Sequence, residues 1–262
     1  MVAFEKYIPW VVYARGRDIR EFYFTVPKEP NTLKEALGVF AKYNVGIVYI
    51  NAYSPPEIGR LPVFLYADFT GLSVDAERVR KELERTVGSK VYVKTPAIKG
   101  FIMNELAFPL CAFPGARLVV LLERDFQEMV RGIYRKSEGF AAVFLYHMAY
   151  MGGKFLANYL LERLGLRGDE KLIREMLKIY QVSGWGRVEL VECDPHALRI
   201  LLRLYDSVEC KIFRGSKKPV SQLIRGHLSG LLSGLLKADV RVMESKCIAK
   251  GDPYCEFYVE KV

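Results

Sequence analysis

The chain is poor in amide side chains and thiols, with five Asn, three Gln and five Cys among 262 residues. Five cysteines are too few for a disulfide-dense scaffold. Scarce amides beside abundant Lys, Arg and Glu point to a thermophilic source, the kind of organism that keeps disulfides inside cells. Long apolar runs are missing as well. The longest, Phe140 to Gly153, is interrupted by His147 and falls short of the ~20 residues that span a bilayer. MVAFEKYIPW carries no basic-then-apolar leader, so a cytoplasmic location without membrane contact is expected. Nucleotide and flavin signatures are absent. No Gly-x-Gly-x-x-Gly follows a strand, no Gly-x-x-x-x-Gly-Lys-Ser/Thr occurs, and no nucleophile and base stand at a suggestive spacing. The net charge of +9 is scattered, its densest clusters being RGRDIR at 15–20 and RGSKK at 214–218, and no recognition helix adjoins them. Nucleic-acid binding is therefore not expected.

What is present is an ordinary globular composition, 51% hydrophobic and 26% charged, in a chain long enough for two modest cores. Residues 20–95 read as strand, helix, strand, strand, helix, strand. Glu21–Val26 is rich in β-formers. Thr32 and Glu35 have capping-box spacing, and Leu33, Ala36, Leu37, Phe40 and Ala41 then make one apolar helical stripe. Asp75 is placed to cap the second helix, and Lys90–Lys94 alternates like a strand. This order predicts a split βαββαβ unit, and its lengths resemble ACT regulatory domains, which bind small effectors or dimerise. A proline-rich link near 95–115 sets the expected domains at 1–105 and 106–262, so the fold class expected is α+β.

In the second domain the spacing predicts a strand over Arg117–Leu122, a helix opening at Asp125, and a long helix from Ser137 to Leu164. Apolar residues cover more than one face of that long helix, so it is expected to be buried nearly all round. A Ser183-Gly184-Trp185-Gly186 turn leads to a hairpin around Asp194-Pro195. The helix from Pro219 to Lys237 carries Gly226, Gly230 and Gly234 at four-residue spacing. Glycine costs a helix roughly 0.5–1 kcal/mol each, so a close backbone neighbour is expected, with Gly152-Gly153 as the candidate.

Residues 244–257 read ESKCIAKGDPYCEF. A hairpin turning at Lys250-Gly251-Asp252 would set Cys247 across from Cys255, at the ~4.5–5.5 Å Cβ separation of opposed pairs. Glu244 is an odd number of residues away and joins the same face only if the strand bulges. Zinc, a Cys247–Cys255 disulfide, and two reduced core thiols are the three readings this permits. Cys111 and Cys193 read as small hydrophobes.

Glu-x-x-Cys-x-x-x-Gly-Asp-x-x-Cys-x-Phe, behind a Gly-x-x-x-Gly helix and a Gly-Trp-Gly turn, resembles the 4-vinyl reductase domain over roughly residues 110–260. That family includes hydrocarbon-binding proteins of archaea and the sensor modules of phenol- and xylene-responsive activators. The resemblance implies a zinc site on Glu244, Cys247 and Cys255. The third cysteine of the sensor branch falls at Ser221 here, leaving Cys210, Ser221 itself or water for the fourth position. It also implies an apolar pocket, for which Phe144, His147, Met148, Met151, Tyr180, Trp185 and Phe213 are the inward candidates. A stripe of this kind more often simply packs, and His147 reads first as a core histidine with a satisfied partner.

Two functions follow from the resemblance. The first is a non-enzymatic sensor holding a small hydrophobic or aromatic molecule, with output through a homodimer or a regulatory protein partner. The alternative is a reductase of a tetrapyrrole vinyl group, for which no supporting residues stand out.

Overall fold

In the computed structural model, which describes residues 5–55, 58–165 and 168–261, the chain divides into two units, Met1–Val120 and Leu121–Val262. The first four residues, part of the stretch read for a leader, lie outside the described residues. Together the two units make an α+β protein.

The first unit contains β1 (Val11–Tyr13), β2 (Ile19–Pro27), α1 (Thr32–Lys42), β3 (Gly46–Ala52), β4 (Arg60–Asp68), α2 (Ala76–Val87) and β5 (Tyr92–Lys94). After these come β6 (Phe101–Met103), β7 (Cys111–Phe113) and β8 (Ala116–Arg117). Alternation along β2 sends Phe22, Phe24 and Val26 to one face, where Ala36 and Phe40 of α1 and Val79 and Leu83 of α2 cover them. Four antiparallel strands lie in the order β3-β4-β2-β5, the arrangement of a split βαββαβ unit. Asp75 caps α2, its Oδ1 accepting the Arg78 N–H at 2.7 Å. The capping box expected at Thr32 does not form. Asn31 occupies the cap position, and the Thr32 hydroxyl instead donates to the carbonyls of Pro27 and Glu29.

The second unit contains α3 (Glu123–Lys136), α4 (Glu138–Leu164), α5 (Glu170–Met176), α6 (Ile179–Val182), β9 (Arg187–Asp194) and β10 (Arg199–Tyr205). It ends with α7 (Gln222–Leu236), β11 (Val240–Lys246) and β12 (Cys255–Lys261). The strand expected over Arg117–Leu122 is short. Only Ala116–Arg117 pairs, and Val119 is 85% exposed. An apolar run makes a strand only where a partner edge is available.

Antiparallel strands in the order β11-β12-β10-β9 form the sheet, and α7 packs against it almost wholly buried. Ser229 and Ser233 fasten α7 to the sheet, their hydroxyls accepting the N–H groups of Val242 at 2.9 Å and Val240 at 3.1 Å. On the far side α7 meets α4 backbone to backbone. A Cβ at Gly226 would stand 2.2 Å from the Tyr146 carbonyl oxygen, and one at Gly230 1.9 Å from that of Tyr150. From the opposite helix, a Cβ at Gly153 would stand 2.2 Å from the His227 carbonyl oxygen, while one at Gly152 would meet nothing. The close approach expected from the glycine spacing is therefore made, by Gly153 alone of the pair.

Burial of α4 on all sides is corrected. Ala141, Leu145, Ala149, Ala157 and Leu161 are buried, but Phe140, Val143, Phe144, Met148, Met151 and Phe155 are exposed. Apolar character on both faces removes the amphipathic signal that would have marked the outward one.

Candidate metal centre

Three separate segments deliver the donors. Cys210 opens a short 3₁₀ turn between β10 and α7, Glu244 lies near the end of β11, and Cys247 and Cys255 flank the hairpin loop that joins β11 to β12. The pairing register of β11 with β12 shifts between Glu244 and Lys246. This is the bulge needed to turn the Glu244 carboxylate onto the cysteine face. Gly251, at φ +99°, permits the tight reversal. Inside the loop, Asp252 Oδ2 accepts the Cys247 N–H at 2.8 Å, and the Ile248 N–H points at Cys255 Sγ from 3.4 Å.

Cys210 Sγ lies 3.6 Å from Cys247 Sγ and 3.3 Å from Cys255 Sγ. One donor atom from each of Cys210, Glu244, Cys247 and Cys255 falls within 4.8 Å of all the others. Tetrahedral zinc with Zn–S near 2.3 Å sets sulfurs about 3.8 Å apart, so the cluster has the dimensions of a closed four-ligand site. A disulfide needs sulfurs about 2.05 Å apart, and the three thiols are free. Ser221 does not enter the ligand set but braces it. Its hydroxyl donates to Glu244 Oε1 at 2.7 Å and lies 3.0 Å from Cys210 Sγ, and its N–H reaches Glu244 Oε2 at 3.3 Å. Outer partners of this kind fix the orientation of a metal-binding carboxylate.

The electrostatics favour a cation. Contact with the thiols of Cys210 and Cys255 holds Cys247 well below the ordinary thiol range. The same contact with Cys247 pushes Cys210 up to about 12, and contacts with Cys210 and Cys247 raise Cys255. Burial, and then the charge of Cys247, raises Glu244 to about 8. The protein's own dipoles thus support one thiolate among four close donors, and a dication would neutralise the rest.

A second buried carboxylate, Glu209, had no signal in the sequence reading. Its two oxygens accept the Leu223 and Ile224 N–H groups at 2.8 and 3.0 Å, which satisfies the first turn of α7 where Ser221 makes no side-chain cap. Burial raises it to about 7 against the pull of those amides.

The pocket candidates scatter. Phe144, His147, Met148 and Met151 lie on the exposed face of α4 and line no interior. Phe213 packs against Tyr134, ring centroids 4.6 Å apart. Tyr180 and Trp185 do turn inward, and between them sits His227, centroids 5.4 and 5.1 Å away. The Tyr180 hydroxyl meets His227 Nδ1 at 2.7 Å. The buried histidine with a satisfied partner is thus His227 and not His147. Of the other cysteines, Cys193 is partly buried, and Cys111 is exposed, against the small-hydrophobe reading.

Burial holds His227 down at about 4, whereas an unfolded imidazole protonates near 6.5. Between those values the unfolded chain binds the extra proton, so this residue's share of stability is present above pH 6.5 and lost as the solution is acidified toward pH 4. Glu209 and Glu244, raised in the fold, titrate in the opposite sense, so the contribution is read as a difference. Denaturant titrations of wild type and His227→Gln should show the wild-type advantage shrinking by about 2 kcal/mol between pH 7 and pH 5. A gap independent of pH would contradict it.

Comparison with known proteins places residues 200–261 in a match to the vinyl-4-reductase (4VR) domain. Uncharacterized protein MJ1642 of Methanocaldococcus jannaschii is 26% identical over 115 residues, covering 43% of this chain and 69% of that protein. Uncharacterized protein MJ0855 of the same organism is 32% identical over 101 residues, covering 38% of this chain and 40% of that one. Among solved structures, the phenol-responsive sensory domain of the transcription activator PoxR with phenol is similar at TM-score 0.45 and 18% identity. The match covers 55% of this chain and 77% of that one. A vinyl-4-reductase family protein from Methanocaldococcus jannaschii is similar at TM-score 0.40 and 19% identity, covering 55% and 84%. Among the described residues no helix is long and apolar enough to cross a membrane.

Proposed function

We propose that the second unit is a zinc-clasped, non-enzymatic receptor for a small hydrophobic or aromatic molecule. The convergence of Cys210, Glu244, Cys247 and Cys255 within 4.8 Å carries the reading. Four protein ligands close a tetrahedral ion completely, which is the pattern of a structural site and leaves no open position for substrate or water. Zinc there would tie the β11–β12 loop to the entrance of α7. Three reduced thiols side by side suit the cytoplasm.

The ligand reading draws on the vinyl-4-reductase domain match over 200–261 and on the aromatic enclosure of Tyr180, Trp185 and His227. There a hydroxyl and an imidazole form a polar pair among ring faces, the mixture of apolar wall and few polar atoms that small-molecule sites use. Output would pass through the first unit, read as an ACT-like module, to a second copy or a regulatory partner.

Phenol serves as the probe. Titrated into the zinc-loaded Trp10→Phe chain, which leaves Trp185 as its one indole, phenol should quench the emission saturably. Tyr180→Leu should weaken that binding about tenfold or more. Quenching that never saturates, or that ignores Tyr180, would contradict the receptor reading.

A further inference from the structure

The exposed face of α4 has an order that no function above uses. Its large side chains are Phe140, Phe144, Met148, Met151, Phe155 and Tyr159, with successive spacings of four, four, three, four and four residues. The pattern reads the same in both directions about a point between Ala149 and Tyr150. Phe140 stacks on Phe144 at 5.6 Å, and Phe155 on Tyr159 at 6.0 Å, so an aromatic pair stands at each end of the row with two methionines between. Met151 is 66% exposed and Phe155 71%.

We propose that this face is a homodimer surface on which two copies pack α4 against α4 antiparallel, about a two-fold axis through that midpoint. In a two-fold interface residue i meets j of the partner and j meets i. The axis then sets Met148 against Met151, Phe144 against Phe155 and Phe140 against Tyr159, aromatic on aromatic and thioether on thioether. Antiparallel helices also oppose their dipoles favourably, which parallel ones do not.

Three further observations favour a second copy as the occupant. The row exposes on the order of 600 Å² of side chain, beyond the apolar patch of an ordinary monomer and near the ~800 Å² per partner of a stable interface. Between Gly139 and Leu161 the one charged residue is Lys154, which is drawn aside to Asp239 at 3.4 Å, so two chains each of net charge +9 can meet here without repulsion. Finally, Gly152 lies beside Met151 with open space where a Cβ would stand. Nothing within the chain requires glycine there, and in mid-helix it costs about 1 kcal/mol relative to alanine. Under the proposed axis Gly152 opposes His147 of the other copy and makes the notch for its imidazole.

Sedimentation equilibrium at micromolar concentration should find wild type dimeric. Met148→Glu and Met151→Lys should each weaken association about a hundredfold, because each buries an unpaired charge against a methionine. The double variant should recover the dimer, because position 148 then faces position 151 of the other copy with opposite charge. In a parallel pairing, like would face like and no recovery would follow. A monomeric wild type, single variants that stay dimeric, or a double variant that stays monomeric would each overturn the proposal. Both single variants should melt as the wild-type monomer does, since these side chains face outward. A single variant that fails to fold would contradict the exposure on which the surface rests. None of these readouts depends on the metal.

Discussion

Gly230→Ala is expected to cost the second unit about 3 kcal/mol or more, read from denaturant or thermal unfolding. The added Cβ would stand 1.9 Å from the Tyr150 carbonyl oxygen and 2.9 Å from the Lys154 nitrogen. Both obstacles are backbone, so no rotamer change clears them, and the two helices must separate along their whole contact. Separation would strip cover from a core in which Leu228, Leu231 and Leu232 are buried. Gly132→Ala in α3 is the control, because a Cβ there meets nothing within 4 Å. It should gain about 0.5–1 kcal/mol from helix propensity alone. A Gly230→Ala chain as stable as wild type would mean that α4 and α7 do not lie in backbone contact.

Cys255→Ala should have the other large effect. It removes the sulfur nearest Cys210 and leaves two thiols and a carboxylate, an incomplete set for zinc. Binding that is confined to the folded state stabilises by roughly 4 kcal/mol when free metal exceeds the dissociation constant about a thousandfold. The variant, or wild type treated with chelator, should therefore melt about 10 °C lower. Added zinc should rescue the chelated wild type and not the variant. Ser221→Ala should keep the ion, because Ser221 reaches the site through Glu244 and not as a ligand. Equal melting of wild type with and without chelator would show that the cluster is ordinary core. Acid should release the ion as well, since thiolates and carboxylate must give up protons to bind it.

How far the sequence carried depended on how local each signal was. Asp75 marks its helix start because a cap is a contact across three residues. The alternating β2 and the one-sided α1 likewise announce which face is inward, and with them the split βαββαβ order. The glycine row in α7 declared a close neighbour through a cost that nothing else would justify. Glu244 was legible only conditionally. Its odd spacing from Cys247 required a bulge, and whether a strand bulges is settled by its partner.

The misreadings share a cause. The α4 sequence is apolar on both faces, so periodicity could not tell the side that meets α7 from the side that Phe140 and Met151 leave open. Leu118–Leu122 has strand composition and no strand to pair with. Thr32 had the right spacing for a cap, but the turn before it placed Asn31 there. Glu209 and His227 escaped notice because each is defined by a distant element, Glu209 by the exposed amides of α7 and His227 by the Tyr180 hydroxyl. Distance in sequence hides such partners until the fold brings them together.

The account rests on a cation held by three sulfurs and one carboxylate, and its most direct test is a metal count on protein purified without chelator. Native mass spectrometry with elemental analysis should find one zinc per chain, and X-ray absorption should give three sulfurs near 2.3 Å with one oxygen near 2.0 Å. Metal-free protein that melts cooperatively with its thiols free, or a bond between Cys247 and Cys255, would contradict it.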